Sequence, residues 1–257
     1  MRALALHGFL GDGADWDGFR AALSMPSLTL DAPDLPGHGR APHPVPPHFA
    51  AWVQWICERL HMATEPVHLL GYSMGGRLAL AAAMAEARTG RVASLTLLGA
   101  TAGLVGRQER DARAAADAER AEALVRDGLM PFLDRWYRQP LFGPAAETVG
   151  VERLVLRRRF GDPEAMADAL RSAGTGAMPN LRPGLGSLRI PVLTVAGNRD
   201  EKFAALGAEI AAATPRGEFA TLDGVGHALL VEAPEACARL WDRFVHAHAT
   251  IARSCHE

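Results

Sequence analysis

Short apolar segments alternate along the chain with longer stretches in which apolar residues recur every three or four positions. Short apolar runs are typical of buried strands, and the longer pattern is typical of amphipathic helices. Their alternation predicts an α/β fold, with a mostly parallel sheet flanked by helices. The predicted strands span residues 2–6, 28–32, 66–70, 93–98, 190–196 and 218–222. The predicted core helices span residues 14–23, 48–62, 74–88, 201–213 and 233–248.

The alternation stops between residues 103 and 182, where the pattern is helical throughout and no segment is typical of a strand. A stretch of about 80 residues is too long for a loop in a compact domain. We therefore expect residues 103–182 to form a helical cap, inserted into a core made of residues 1–102 and 183–257.

Residues 71–75 read Gly-Tyr-Ser-Met-Gly and match the pattern G-x-S-x-G. A buried strand is predicted before this segment and an alanine-rich helix after it, which is the context that a nucleophile elbow requires. In such an elbow the central serine, here Ser73, is exposed on a strained turn at the carboxyl edge of the sheet. The other interpretation is a glycine-rich turn with an incidental serine, and the strand–turn–helix context argues against it. In this context the elbow predicts an α/β-hydrolase fold.

Two further residues follow Ser73 in the order that this fold uses for its triad. Asp200 comes just after a predicted strand, and His227 lies in the glycine-flanked loop 223–227 after the last strand. By itself, Asp200 could be an ordinary helix N-cap, and a loop histidine is more often a surface residue. Together they predict that His227 accepts a proton from or through Ser73, while Asp200 fixes its tautomer.

The loop after the first strand supplies the second half of an oxyanion hole in this fold. His7-Gly8-Phe9 occupies that position, so the backbone N–H groups of Phe9 and Met74 are the candidate donors. The glycines at 8–13 lack the Gly-Lys-Ser/Thr end of a phosphate-binding loop and the spacing of a dinucleotide site.

The composition argues against several classes of function but does not identify a particular one. The 257 residues carry a formal net charge of −2, which gives no long-range attraction to nucleic acid or to anionic membranes. No apolar run approaches the length of a membrane span, and the amino terminus does not resemble a signal peptide. The three cysteines, an odd number without C-x-x-C spacing, predict no disulfide framework and favour a cytoplasmic location. We expect a monomer or a weak homo-oligomer.

Metal binding is not expected either. His38, His43 and His48 recur every five residues, but the proline-rich segment that holds them cannot form a helix that would bring them together.

Five segments resemble the 2-succinyl-6-hydroxy-2,4-cyclohexadiene-1-carboxylate synthases of menaquinone biosynthesis. The resemblance covers nearly the whole chain. The segments are HGFLGD at 7–12, DLPGHG at 34–39, GYSMGGR at 71–77, RWYRQPLF at 135–142 and GNRDEKF at 197–203.

This resemblance implies a lyase that eliminates pyruvate from an enolpyruvyl-succinyl-cyclohexene carboxylate without a metal or organic cofactor. The triad would then act as a base, with Ser73 relaying the proton to His227. The substrate, a small polycarboxylate, would be held by arginines, which bind carboxylates with a planar fork of donors. The residues implied in substrate binding are Arg77, Arg113, Arg157, Tyr72 and Trp136.

Two other classes of function remain open at this point. A serine hydrolase of carboxylic esters or carbon–carbon bonds would use the same three residues and the same oxyanion hole. The second class is a non-catalytic binding protein with this fold. A protein that only binds has no need of a serine, an aspartate and a histidine in this order. Arginines lining the pocket would favour the lyase, because a neutral ester gains nothing from buried cations.

Overall fold

The computed structural model of the protein describes residues 1–41 and 44–254, with side chains as far as residue 248. His43 and Cys255, which entered the sequence analysis, lie outside the described residues. Six strands form one parallel sheet in the order β2-β1-β3-β4-β5-β6. The strands are β1 (Arg2–Leu6), β2 (Thr29–Asp31), β3 (Val67–Tyr72), β4 (Val92–Leu98), β5 (Val192–Gly197) and β6 (Gly217–Leu222).

The expected α/β-hydrolase fold is confirmed, and each predicted strand is present within three residues of its predicted ends. The helices are α1 (Asp17–Ala21), α2 (Phe49–Met62), α3 (Met74–Ala85), α4 (Arg107–Asp127), α5 (Leu129–Tyr137), α6 (Gly143–Thr148), α7 (Val151–Leu156), α8 (Pro163–Ala173), α9 (Glu201–Ala213), α10 (Leu229–Glu232) and α11 (Pro234–Ser254). The predicted helix at 14–23 instead begins as a 3-10 turn, Gly13–Trp16, which the side chain of Asp12 caps.

The two faces of the sheet are covered by different helices. Alternate residues of a strand point to opposite faces, so Leu69 packs against α2 and α3 while Leu70 packs against α1 and α11. The second face is rich in large aromatic side chains, including the fully buried Trp16 and Trp241. Burial on both faces explains why the central strands read as continuous apolar runs.

Helices α4 to α8 lie between β4 and β5 in the chain and share an apolar cluster that includes Phe132, Leu133 and Leu170. Leu10 and Ala228, from the loops after β1 and β6, also belong to this cluster. The expectation that residues 103–182 are helical throughout is wrong in detail, because non-helical connections separate the helices. Glycines with positive φ stand at several of these breaks, at Gly128, Gly150 and Gly161. Such a backbone conformation ends a helix and is readily adopted only by glycine.

Among the described residues, no helix has both the length and the apolar character needed to cross a membrane.

Backbone segments pack closely where α3 follows β3. A Cβ atom on Gly75 would collide with the carbonyl oxygens of Leu6 and His7, and one on Gly71 would collide with the carbonyl of Gly75. Helix α3 can therefore sit against the ends of β1 and β3 only because both positions carry no side chain.

We expect Gly75→Ala to lower the free energy of unfolding by about 1–3 kcal/mol, because the added methyl group meets backbone atoms that cannot rotate away. Urea unfolding followed by circular dichroism measures this change. Gly186→Ala is the matched control, since a Cβ there meets nothing within 4 Å. Equal stability of Gly75→Ala and wild type would show that the elbow can accommodate a methyl group at this position.

Candidate active site

Ser73 lies at the junction between β3 and α3, in a conformation that non-glycine residues rarely adopt. Its φ of +50° and ψ of −107° are outside the usual regions for an L-residue and cost about 1–3 kcal/mol. The surrounding backbone holds the turn: Ser73 N–H donates to the carbonyl of Leu98 at 2.9 Å, and Gly75 N–H donates to that of His7 at 3.1 Å. The serine is therefore fixed by the ends of the strands on either side of β3.

His227 and Asp200 meet Ser73 across the carboxyl edge of the sheet. His227 Nε2 lies 3.2 Å from Ser73 Oγ, and His227 Nδ1 lies 2.8 Å from Asp200 Oδ2. His227 is 2% exposed, so it is not a surface histidine. The other oxygen of Asp200 accepts the N–H of Phe203 at 3.2 Å and caps α9. Asp200 is thus both an N-cap and the partner of His227, because its carboxylate has two oxygens.

Aromatic rings enclose the imidazole of His227. Its centroid lies 4.4 Å from that of Phe203, 5.7 Å from that of Tyr72 and 6.0 Å from that of Phe142. Burial raises the pKa of Tyr72 well above its usual range, so its phenol stays neutral. These rings exclude water from the histidine, which strengthens its hydrogen bonds with Ser73 and Asp200.

His7 fixes the loop that carries Phe9. Its Nδ1 lies 2.8 Å from the carbonyl oxygen of Gly8, and its Nε2 accepts the N–H of Leu35 at 2.8 Å. Full burial lowers the pKa of His7 to about 4, so the ring is neutral and can both donate and accept. The loop therefore has one arrangement, which places Phe9 and Met74 on the wall of the same cavity as Ser73.

A cavity of about 740 Å³ opens above Ser73, between the carboxyl edge of the sheet and helices α4 to α8. Ser73, His227 and Asp200 line it, as do two residues implied in substrate binding, Tyr72 and Trp136. The Trp136 ring stacks on that of Phe132, with 5.7 Å between the ring centroids, and makes an edge-to-face contact with Phe9, with 5.4 Å between the centroids. Trp136 thereby connects the helices between β4 and β5 to the loop of the predicted oxyanion hole.

Arg77 lies on the cavity wall and is only 8% exposed, so it is not a surface residue of α3. Its guanidinium donates to the carbonyl oxygen of Ala173 at 2.7 Å, and no carboxylate of the described residues pairs with it. Burial and the nearby charge of Arg113 lower the pKa of Arg77 to about 10, so it is still protonated at neutral pH. A buried cation without a carboxylate partner is suited to bind an anionic ligand.

Arg113 also lines the cavity, but a carboxylate already neutralises part of its charge. Its Nε donates to Asp117 Oδ1 at 2.8 Å, and Arg120 contacts the same oxygen at 3.2 Å. Asp117 is 3% exposed and also accepts the N–H of Gly176. Asp117, on the same helix, thus fixes the Arg113 side chain and occupies one of its N–H donors.

The implied role of Arg157 needs correction. Arg157 is 46% exposed and is absent from the cavity wall, whereas Arg158 is 7% exposed and lies on it. Arg158 pairs with the buried Asp15 at 2.5 Å, and its Nε donates to the hydroxyl of Tyr137 at 3.2 Å. Burial lowers the pKa of Arg158, but Tyr137 and Asp15 raise it by more than burial lowers it. Arg158 is therefore always charged. Three successive arginines follow α7, and only packing selects the one that points inward.

Sequence reasoning did not select several cations that line the cavity, namely Arg158, Arg182, Arg199 and Lys202. Arg182 pairs with Glu209, and Arg199 pairs with Glu147 at 2.7 Å. Lys202, the only lysine in the sequence, has no ion pair with any described carboxylate. Its position two residues after Asp200 could have indicated that Lys202 lies near the site.

Within residues 1–41 and 44–248, no group of three or more His, Cys, Asp or Glu side chains could hold a metal ion. His38 lies with its Nδ1 3.1 Å from the carbonyl oxygen of Pro36, and His48 caps α2 by accepting the N–H of Ala51. Each of these histidines therefore has a local structural contact.

Comparison with known proteins identifies the family to which the chain belongs. The profile of the alpha/beta hydrolase family matches residues 3–240. A 2-succinyl-6-hydroxy-2,4-cyclohexadiene-1-carboxylate synthase of Enterobacter sp. is 32% identical, over 91% of this chain and 87% of its own. The Yersinia pestis protein of the same name is 33% identical, over 77% and 72%.

Solved structures give the same result. MenH from S. aureus superposes with a TM-score of 0.89 at 28% identity, over 97% of this chain and 94% of its own. A thermophilic esterase from Thermogutta terrifontis, with malate bound, superposes with a TM-score of 0.79 at 24% identity, over 96% and 90%. At that identity the esterase shares the fold alone. The chain belongs to the alpha/beta hydrolase family and, within it, to the family of 2-succinyl-6-hydroxy-2,4-cyclohexadiene-1-carboxylate synthases.

Proposed function

We propose that the protein is a lyase of menaquinone biosynthesis, which eliminates pyruvate from 2-succinyl-5-enolpyruvyl-6-hydroxy-3-cyclohexene-1-carboxylate. The observation that carries this proposal is the combination of a hydrogen-bonded serine, histidine and aspartate with a buried, unpaired Arg77 in one cavity. The names of the relatives in Enterobacter and Yersinia support the same reaction.

The two structures that the names describe decide which bonds change. The substrate has a double bond between C3 and C4, and the product is a 2,4-diene that lacks the enolpyruvyl group. A proton therefore leaves C2, and its bonding electron pair forms the C2–C3 double bond. The C3–C4 double bond moves to C4–C5, and the C5–O bond breaks with its electron pair on oxygen. The departing enolate takes up a proton and becomes pyruvate. No electrons are gained or lost overall, so a base and charge stabilisation are sufficient.

Ser73, His227 and Asp200 would act together as that base. Ser73 Oγ removes the C2 proton while its own proton passes to His227 Nε2, 3.2 Å away. Asp200 holds the proton on Nδ1, which leaves Nε2 free to accept, and it stabilises the imidazolium that forms. Ser73 lies on the cavity wall, where a bound substrate would be within reach of its hydroxyl group.

The N–H groups of Phe9 and Met74 would stabilise the charge that develops on the substrate. C2 lies next to the ketone of the succinyl group, so loss of its proton places negative charge on that oxygen. Two backbone donors held in position before the reaction stabilise such a charge without reorganisation.

The substrate carries three carboxylates, and we assign Arg77, Arg113 and Arg158 to hold them. Arg77 is the strongest candidate, because it alone among these three has no carboxylate partner among the described residues. Tyr72 and Trp136 would contact the ring and its substituents from the cavity wall. Residues 103–182 would form a cap over the core, and this cap contributes Arg113, Trp136 and Arg158.

Purified protein should release pyruvate from this substrate much faster than it cleaves p-nitrophenyl acetate or butyrate. An elimination requires a base and positive charges, whereas ester turnover also requires a water molecule positioned to deacylate the serine. Coupled pyruvate detection and nitrophenol absorbance measure the two rates. Efficient ester hydrolysis without pyruvate release would replace the lyase with a serine hydrolase.

Ser73→Ala should lower kcat for pyruvate release by several orders of magnitude, because members of a triad act as a unit. The fold should be unaffected, since alanine lacks only the hydroxyl group; circular dichroism and thermal unfolding check this. A folded Ser73→Ala protein with a rate near that of wild type would refute the assignment of the base.

Arg77→Ala should cost on the order of 2–5 kcal/mol of transition-state stabilisation in pyruvate release, because a desolvated carboxylate would lose its partner. Any residual cleavage of neutral esters should change little. The ratio of kcat/KM between variant and wild type measures both effects, and the exposed Arg88→Ala is the control. Parallel loss of both activities would make Arg77 a structural residue of α3.

A further inference from the structure

Glu232 binds the backbone on both sides of His227. Its Oε2 accepts the N–H of Gly226 at 2.9 Å, and its Oε1 accepts the N–H of Ala228 at 3.0 Å. Glu232 is half-buried and is the last residue of α10, five positions after the histidine. A single carboxylate therefore bridges the residues that flank the proposed base.

Bonds to an ionised acceptor are the stronger kind of backbone hydrogen bond, roughly twice as strong as neutral ones. Gly226 makes this contact possible, because a Cβ at that position would press on Pro144 and on Oε1 of Glu232. The other backbone hydrogen bonds of this loop have neutral partners. The carbonyl of His227 accepts the N–H of Leu229 at 2.9 Å, and the carbonyl of Val225 accepts the N–H of Arg199 at 3.0 Å. The carbonyl of Ala228 accepts the N–H groups of Val231 at 2.8 Å and of Glu232 at 2.9 Å. Glu232 thus gives the loop its only charged backbone clamp among the described residues.

We propose that Glu232 is a positioning residue for His227. Asp200 holds the imidazole through Nδ1, whereas Glu232 holds the backbone from which the side chain projects. Both are needed to keep Nε2 at 3.2 Å from Ser73 Oγ, because a ring held at one point can still move with a loose loop. A displacement of about 1 Å between reacting groups can lower a rate by roughly a hundredfold.

The inference rests on the proposed role of His227 and does not depend on which substrate the enzyme uses. A carboxylate that only stabilised the fold would affect the unfolding temperature and leave kcat unchanged. A positioning residue lowers kcat in folded protein and leaves KM nearly constant, because the arginines and not His227 bind the substrate.

The test compares Glu232→Ala and Glu232→Gln with Glu235→Ala, which removes an exposed carboxylate from the first turn of α11. We expect kcat to fall by about 10- to 100-fold in Glu232→Ala, with KM within about twofold of wild type. Glu232→Gln should lose less, because its amide keeps one acceptor oxygen. Glu235→Ala should resemble wild type. Added formate should restore part of the rate of Glu232→Ala by occupying the empty carboxylate position.

The downfield proton resonance of the His227–Asp200 hydrogen bond gives a second readout, which should broaden in Glu232→Ala and stay sharp in Glu235→Ala. Wild-type kcat in folded Glu232→Ala would overturn the proposal. If Glu232→Ala does not fold, wild-type kcat in Glu232→Gln would overturn it equally. Should wild type release no pyruvate but cleave an ester, the same ratios measured on that ester still decide the role of Glu232.

Discussion

The site depends on a backbone contact, the approach of α3 to the ends of β1 and β3. Gly75 N–H reaches the carbonyl of His7 only because positions 71 and 75 carry no side chain. That contact joins the turn that strains Ser73 to the loop that presents Phe9. The hydroxyl group and the candidate oxyanion donors are therefore positioned by the same few atoms, and neither can move without the other.

The electrostatics of the cavity depend on which group lies next to each buried arginine. Arg158 and Arg113 each have a buried carboxylate beside them, Asp15 and Asp117, which stabilises their charge within the protein. Arg77 has a carbonyl oxygen instead, and the loss of hydration lowers its pKa to about 10. An unpaired buried charge is unfavourable, and binding of an anion would remove that cost. This asymmetry is the physical basis for assigning a carboxylate-rich substrate.

The helices between β4 and β5 supply the side of the cavity opposite Ser73. Trp136 lies against Phe9, so the position of these helices and the width of the cavity are linked to the loop after β1. A surface salt bridge between Arg199 and Glu147 joins the end of β5 to α6 at the same cavity. The cavity thus forms where two parts of the chain that are distant in sequence come into contact.

The sequence by itself determined the sheet, the elbow and the order of Ser73, Asp200 and His227, because hydrophobic period and local turn chemistry are properties of short segments. The resemblance of its motifs to a known family also pointed to Arg77. Only the tertiary structure decided that Arg158 and not Arg157 faces the cavity, that Glu232 bridges the backbone around His227, and that Lys202 lies on the cavity wall. Those facts depend on how side chains from separate elements pack against one another, and such long-range packing leaves no periodic trace in a single sequence.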